Sequence, residues 1–192
     1  MRIFGKISSL ALFSALSFAN PINDVDLDAR AVPASAAATL PFNINYAFTA
    51  RLTLGPPPAS ALRNPIPLAG GSGTANGILL PSPILTGTVT GPALNATITS
   101  GFAIPAVYNT TAGTIQIPAT NAYGVTDDGV ELYIVQSGVG PQLGQTTRIQ
   151  MSIGGGAKYA RLRDGFILTA LTPDADHIHI TVTAYLIENS QA

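Results

Sequence analysis

Residues 40–54 read LPFNINYAFTARLTL, and the spacing of the apolar residues in this stretch decides the fold class. Leu40, Phe42, Ile44, Tyr46, Phe48, Leu52 and Leu54 fall on one face. Pro41, Asn43, Asn45, Thr49, Arg51 and Thr53 fall on the other. A period of two sustained over this length predicts a β-strand and argues against a helix. Gly55-Pro56-Pro57-Pro58 ends the strand. A strand this long bends in most compact folds, and barrels use such strands. The apolar face is expected inside, although the pattern alone does not say which face lines the interior. On that face Phe42, Ile44 and Phe48 are candidates for ligand contact. Tyr46 carries a hydroxyl that needs a partner when buried, and a ligand can supply it.

Working outward, the same alternation returns at residues 125–138, VTDDGVELYIVQSG. Thr126-Asp127-Asp128-Gly129 suits a tight turn, because Asp side chains bond nearby backbone and Gly accepts positive φ. After it Val130, Leu132 and Ile134 point one way, Glu131 and Tyr133 the other. Near the C-terminus Ile178, Ile180, Val182, Ala184 and Leu186 alternate with His177, His179, Thr181, Thr183 and Tyr185. Shorter strand-like pieces lie at 77–80, 85–89, 94–104, 114–118, 145–153 and 165–172, with Gly, Pro, Asn and Asp turn signals between them. Residues 59–77 read as a loop, since prolines and paired glycines interrupt them. Only 157–163 suggests a helical turn or two. About eight to nine strands without a strong helix predict an all-β protein: a single antiparallel closed β-barrel, with a sandwich as the alternative. Closure removes strand edges, which favours the barrel.

The N-terminus is organised differently. Arg2 and Lys6 precede an apolar run from Ile7 to Phe18, and Ser17-Phe18-Ala19 offers small residues for cleavage. Residues 1–19 therefore read as a secretory signal peptide. The run is shorter than the roughly 20 residues that span a bilayer. Residues 20–38 read as a mobile segment or pro-region, with Arg30 as a weak processing signal, and 39–190 as the barrel domain. Cysteine is absent, so disulfides, thiol nucleophiles and Cys-ligated zinc are excluded. Charged residues are only 10% of the chain and show no basic cluster, which argues against nucleic acid as a partner. A surface so weakly charged on a β-rich protein predicts a homo-oligomer or heavy glycosylation. Asn95-Ala96-Thr97 and Asn109-Thr110-Thr111 are N-glycosylation sequons.

The Thr126-Asp127-Asp128-Gly129 turn and its strand resemble the T-D-D-G-A-x-I-x-V-x-x-x-G segment of a bacterial and fungal family, DUF3237 or UPF0311. Further points of similarity are Pro65-Ile66 with Gly70-Gly71, Lys158-Tyr159-Ala160-Arg161-Leu162, and the closing strand to Tyr185. The third resembles the family's K-Y-x-W-L passage with Arg161 in place of the aromatic. Thr120 or Asn121 stands where the family has an acidic residue before the Tyr that Tyr123 resembles. Gln150-Met151-Ser152 stands where the family has F-E-T, so that carboxylate is missing too. The resemblance covers most of the chain after the signal and implies a barrel of the calycin or allene-oxide-cyclase kind. It carries no common activity.

The candidate catalytic residues are Tyr46, His179, Arg161 and Lys158. Histidine moves protons near neutral pH, and Lys158 with Arg161 can hold a carboxylate or enolate. Tyr123, Tyr133 and Tyr159 join Phe42, Ile44 and Phe48 as candidate ligand contacts. Each has a plainer reading: a surface histidine pair for His177 and His179, a turn former for Asp127 and Asp128, a cationic lip for Lys158 and Arg161. No Gly-x-Ser-x-Gly elbow is present, and Gly154-Gly155-Gly156 lacks the Lys of a phosphate loop. No metal site and no cofactor are expected. Three functions fit these residues. The first is a secreted, cofactor-independent cyclase or isomerase that folds a small apolar molecule inside the barrel and needs no membrane once the signal is removed. The second is a carrier of an apolar ligand. The third is a structural or interaction protein with a filled barrel.

Overall fold

The structure, a computed structural model, describes residues 41–58, 66–69, 76–110 and 113–189. The signal-peptide and pro-region expectations, and the family-like Pro65 and Gly70-Gly71, lie outside the described residues.

In chain order the strands are β1 (Phe42–Leu54), β2 (Ile66–Ala69), β3 (Asn76–Leu79), β4 (Ser82–Thr90), β5 (Ala96–Ala103), β6 (Ala106–Thr110), β7 (Gly113–Ile117), β8 (Ala119–Thr126), β9 (Glu131–Pro141) and β10 (Gln145–Ile153). A 3-10 turn (Gly156–Tyr159) runs into one short helix, α1 (Ala160–Asp164). Two strands follow, β11 (Phe166–Pro173) and β12 (His179–Asn189). Eight strands pair antiparallel in the order β10-β11-β12-β1-β4-β5-β8-β9, and β9 pairs back to β10. The expected barrel is therefore present and closed. The far end of β9 extends into a smaller ladder through β7, β6, β3 and β2. β2 was expected as loop. Its Pro67 lacks a backbone donor, and the strand sits last in the sheet order, where a missing donor is tolerated.

Period-two burial explains why these segments are barrel staves. In β10, Gln145, Thr147, Ile149, Met151 and Ile153 are buried and every residue between them is exposed. β8 and the first half of β9 keep the same alternation, with Asn121, Tyr133 and Val135 half-buried between the inward residues. Phe48, Ile98, Ile134, Ile149, Ile167 and Val182 meet in the centre. Toward the end where β9 leaves the barrel the interior turns polar: Gln136 Nε2 donates to Thr147 Oγ1 at 2.6 Å and to Thr169 Oγ1 at 3.2 Å, and the two threonine hydroxyls bond each other. The space left among these side chains is a cavity of about 20 Å³. That is room for one water molecule and for no substrate.

β1 departs from its sequence reading. Tyr46 pairs with Tyr185 and Phe48 pairs with Ala184, so Ala47 is an extra residue, a β-bulge. Ala47 and Phe48 both turn inward and are 0% exposed. The bulge reverses the alternation. Phe48, Ala50 and Leu52 face the core, whereas Ile44 and Tyr46 lie on the outer wall, 52% and 46% exposed. Phe42 shares that outer face, opposite Asn189. Of the β1 residues expected to line the interior, the structure buries Phe48 and Leu52 in the core and packs Leu54 against it, while Phe42, Ile44 and Tyr46 face out.

Candidate functional site

Three connections meet at the barrel end where β1 begins: residues 91–95 between β4 and β5, the turn 126–130 between β8 and β9, and the helical piece 154–165. Between them lies an open groove of about 290 Å³, lined by Pro92, Ala93, Leu94, Asn95, Asp127, Asp128, Lys158 and Tyr159. This is the lower edge of the size range of small-molecule sites, about 300–1,000 Å³. Beneath it lie Leu94 and Tyr159, both buried in the core cluster. Its rim is polar.

The turn folds here because its side chains bond within it. Thr126 Oγ1 accepts from the Val130 amide at 2.9 Å and donates to Asp128 Oδ1 at 2.5 Å, while Gly129 takes φ 80°. Asp128 is then reached from across the groove. Lys158 Nζ donates to Oδ2 at 2.5 Å and Tyr159 OH donates to Oδ1 at 2.7 Å. The Lys158 bond, then those from Thr126 and Tyr159, hold the Asp128 carboxyl well below the usual carboxylate range. The same contact raises Lys158. Both groups thus keep their charged forms and make a clasp rather than a proton relay. Asp127 bonds only through its backbone, to the Asn95 carbonyl at 3.1 Å, and its carboxylate makes no side-chain bond among the described residues. Asn95 Oδ1 accepts from the Gly91 amide at 3.1 Å, which leaves its Nδ2 for the groove or a glycan.

The other candidates are spread out. Arg161 lies on the same end but outside the groove, where Nε and Nη2 donate to Glu188 Oε1 at 2.9 and 2.5 Å; Asn45 Nδ2 donates to Glu188 Oε2 at 2.8 Å. Tyr46 bonds Thr49 Oγ1 at 3.0 Å on the outer wall and packs edge-on to Tyr185, ring centroids 6.3 Å apart. Tyr123 and Tyr133 also stand on the outer wall, centroids 4.7 Å apart, with Tyr133 OH donating to Asn121 Oδ1 at 2.7 Å. His179 is exposed at the opposite end. Its Nδ1 lies 2.6 Å from Asp176 Oδ2, and backbone and side-chain bonds from His179 hold Asp176 down to about 2. His177 is not on the β12 face as expected; it sits in the preceding turn with φ 56°. Among the described residues no group of three or more His, Asp or Glu side chains is placed to hold a metal, and no helix is long and apolar enough to cross a membrane. Asn109 is exposed. The sequence reading missed the apolar wall, Pro92 to Leu94, and the partner Glu188. Its one available signal was the Gly91-Pro92 turn, which marks a loop but not what the loop faces.

No family model matches the sequence, and no curated protein matches it. Solved structures do match. A β-barrel-like protein from Acinetobacter baumannii superimposes with TM-score 0.58 at 17% identity, over 80% of this chain and 100% of that one. A protein of unknown function from Clostridium acetobutylicum gives 0.57 at 16%, over 77% and 99%. A protein from Penicillium herquei described as an enzyme gives 0.52 at 18%, over 80% and 99%. The likeness at such identities is one of fold, and the chain is similar in fold to these β-barrel proteins.

Proposed function

We propose that this protein binds a small, largely apolar molecule at the barrel end, in the groove between the 126–130 turn and Lys158-Tyr159. The observation that carries this reading is the groove itself: Pro92 and Ala93 over the buried Leu94 and Tyr159, with a rim holding one ion pair and one unengaged carboxylate, Asp127. The barrel interior, with about 20 Å³ free, gives no competing site. The cyclase or isomerase activity expected from sequence moves with the ligand to this groove. The walls would orient the substrate, Asp127 would accept a proton, and the charge of Lys158 would contribute to the field at the rim. A barrel of this fold from Penicillium herquei is described as an enzyme, which supports catalysis on the scaffold. Membership of DUF3237 belongs to the same reading, supported by the bonding of two family-like passages, Thr126 to Gly129 and Lys158-Tyr159. So do secretion and glycans on the exposed Asn95 and Asn109. An interaction role is the second reading, favoured by the exposed Ile44, Tyr46 and Phe166 of the outer wall.

The test is a titration with N-phenyl-1-naphthylamine, a neutral apolar dye, followed by backbone amide shifts. Shifts at residues 92–95, 126–130 and 156–160 are expected. Shifts confined to the outer wall, or none, would sink the groove. Asp127→Asn separates enzyme from carrier once a turnover substrate is found: it abolishes turnover in the first case and, because Asn keeps an acceptor oxygen, weakens binding only modestly in both.

A further inference from the structure

The barrel wall is strand throughout, but the groove end is stoppered by one short helical piece. The 3-10 turn and α1 press just two side chains into the core, Tyr159 and Leu162, 5% and 2% exposed. Every other residue from Gly154 to Gly165 is exposed, apart from the half-buried Ala160. Glycine flanks the piece on both sides. Gly155 and Gly156 sit at φ 78° and 62°, a conformation that side-chain-bearing residues rarely adopt. At Gly165 a Cβ would stand 2.2 Å from the Arg161 carbonyl oxygen. The piece is tied to its neighbours by the Tyr159 hydroxyl, which donates to Asp128 Oδ1 at 2.7 Å, and by two solvent-facing ion pairs. Lys158–Asp128 has side chains 60% and 40% exposed, and Arg161–Glu188 has 68% and 36%. Pairs so exposed hold weakly.

Tyr159 is at once a wall of the groove and a member of the core cluster. It is the partition between the two. Leu132 on β9, Ile153 on β10 and Leu186 on β12 are the last buried inward residues at this end, and Val130 packs beside Gly154 and Gly155. Withdrawal of Tyr159 and Leu162 would expose these apolar side chains and add the space of two large residues to the groove. The enlarged site falls inside the usual range for small molecules.

We infer that residues 156–164 are a gate, hinged at Gly154-Gly155-Gly156 and at Gly165, whose outward swing turns the groove into the mouth of an apolar pocket in the barrel end. The inference rests on the groove reading and names the ligand class. Asp127, Asp128 and Lys158 leave the rim with one net negative charge, so an anion is disfavoured. The unengaged Asp127 carboxylate accepts a donor. The ligand is therefore an uncharged aromatic or aliphatic molecule with a hydroxyl at one end, its apolar body taking the place of Tyr159 and Leu162.

The chain has no cysteine, so single thiols can report the motion. Leu162→Cys places one under the gate, and Ile149→Cys places one in the barrel wall, 3% exposed in the native protein. Reaction with a disulfide reagent is expected to be on the order of a hundredfold faster at position 162, because a local opening costs less than global unfolding. Adding Arg161→Gln, outside the groove, should speed labelling at 162 by about two- to fivefold and leave position 149 unchanged. Equal rates at 162 and 149 would overturn the gate even if the dye binds the groove. Fast labelling at 162 with no dye binding would instead overturn the ligand assignment and leave the motion.

Discussion

Asp128 shows how one side chain can be committed to structure in the middle of a candidate site. Three donors converge on its carboxylate, from Lys158, Thr126 and Tyr159. Its folded pKa therefore lies below the unfolded one, with Lys158 the leading cause. A group depressed in this way stabilises the fold fully above the ordinary Asp value, about 3.9, and the contribution fades as pH falls through the folded value. Lys158, raised by the same bond, keeps its proton through neutral pH. The clasp should be insensitive to pH around neutrality. Asp128→Asn is expected to lower the thermal midpoint by a constant amount above about pH 5, with the difference from wild type shrinking below about pH 4. Melting curves from pH 8 to 2 would check this, and a difference that stays flat to the acid end would show that the charge is not what holds the turn.

The β1 strand makes its argument at the level of the element. One inserted residue, Ala47, sends Ile44 and Tyr46 outward while Phe48, Ala50 and Leu52 face in. Deleting Ala47 would set Tyr46 directly before Phe48, whose partners Tyr185 and Ala184 are already consecutive, so the strand would become regular with Ile44 and Tyr46 still outside. It would remove one buried methyl group and the carbonyl that accepts from the Ala93 amide, a loss of about 1–2 kcal/mol in a denaturant titration. A loss well above about 3 kcal/mol would mean that the wall needs the bulge itself and not only the pairing it leaves. This is also where the sequence stops being legible. Alternation in β10, the Thr126 to Gly129 turn and the helical tendency near 157–163 were all readable, because each depends on neighbours in the chain. The bulge was not, because alanine fits either face and the extra residue is defined only by its partner strand. Nor was the clasp: Asp128 reads as a turn former, and its tie to Lys158 is made by the way β8, β9 and β10 close.

For the molecule as a whole, the consequence of that bulge is an apolar outer wall. Ile44, Tyr46 and Phe166 are 52%, 46% and 45% exposed, with Tyr185 and Ile187 between them on β12. Arg148 is stacked 4.9 Å over Phe166 on that wall. Such a face on a weakly charged protein should associate with itself. Sedimentation velocity is expected to show a concentration-dependent dimer that Ile44→Lys returns to monomer, and a wild-type monomer at all concentrations would remove that expectation. Closure has another result. Phe42 and Asn189 are register partners at the same end of the barrel, so the first and last staves are neighbours. A short linker could join them, and the chain could be reopened between Gly154 and Gly156 without cutting a stave. Such a circular permutant would keep its strand order while leaving Tyr159 and Leu162 on a free end, a barrel whose stopper has become its tail.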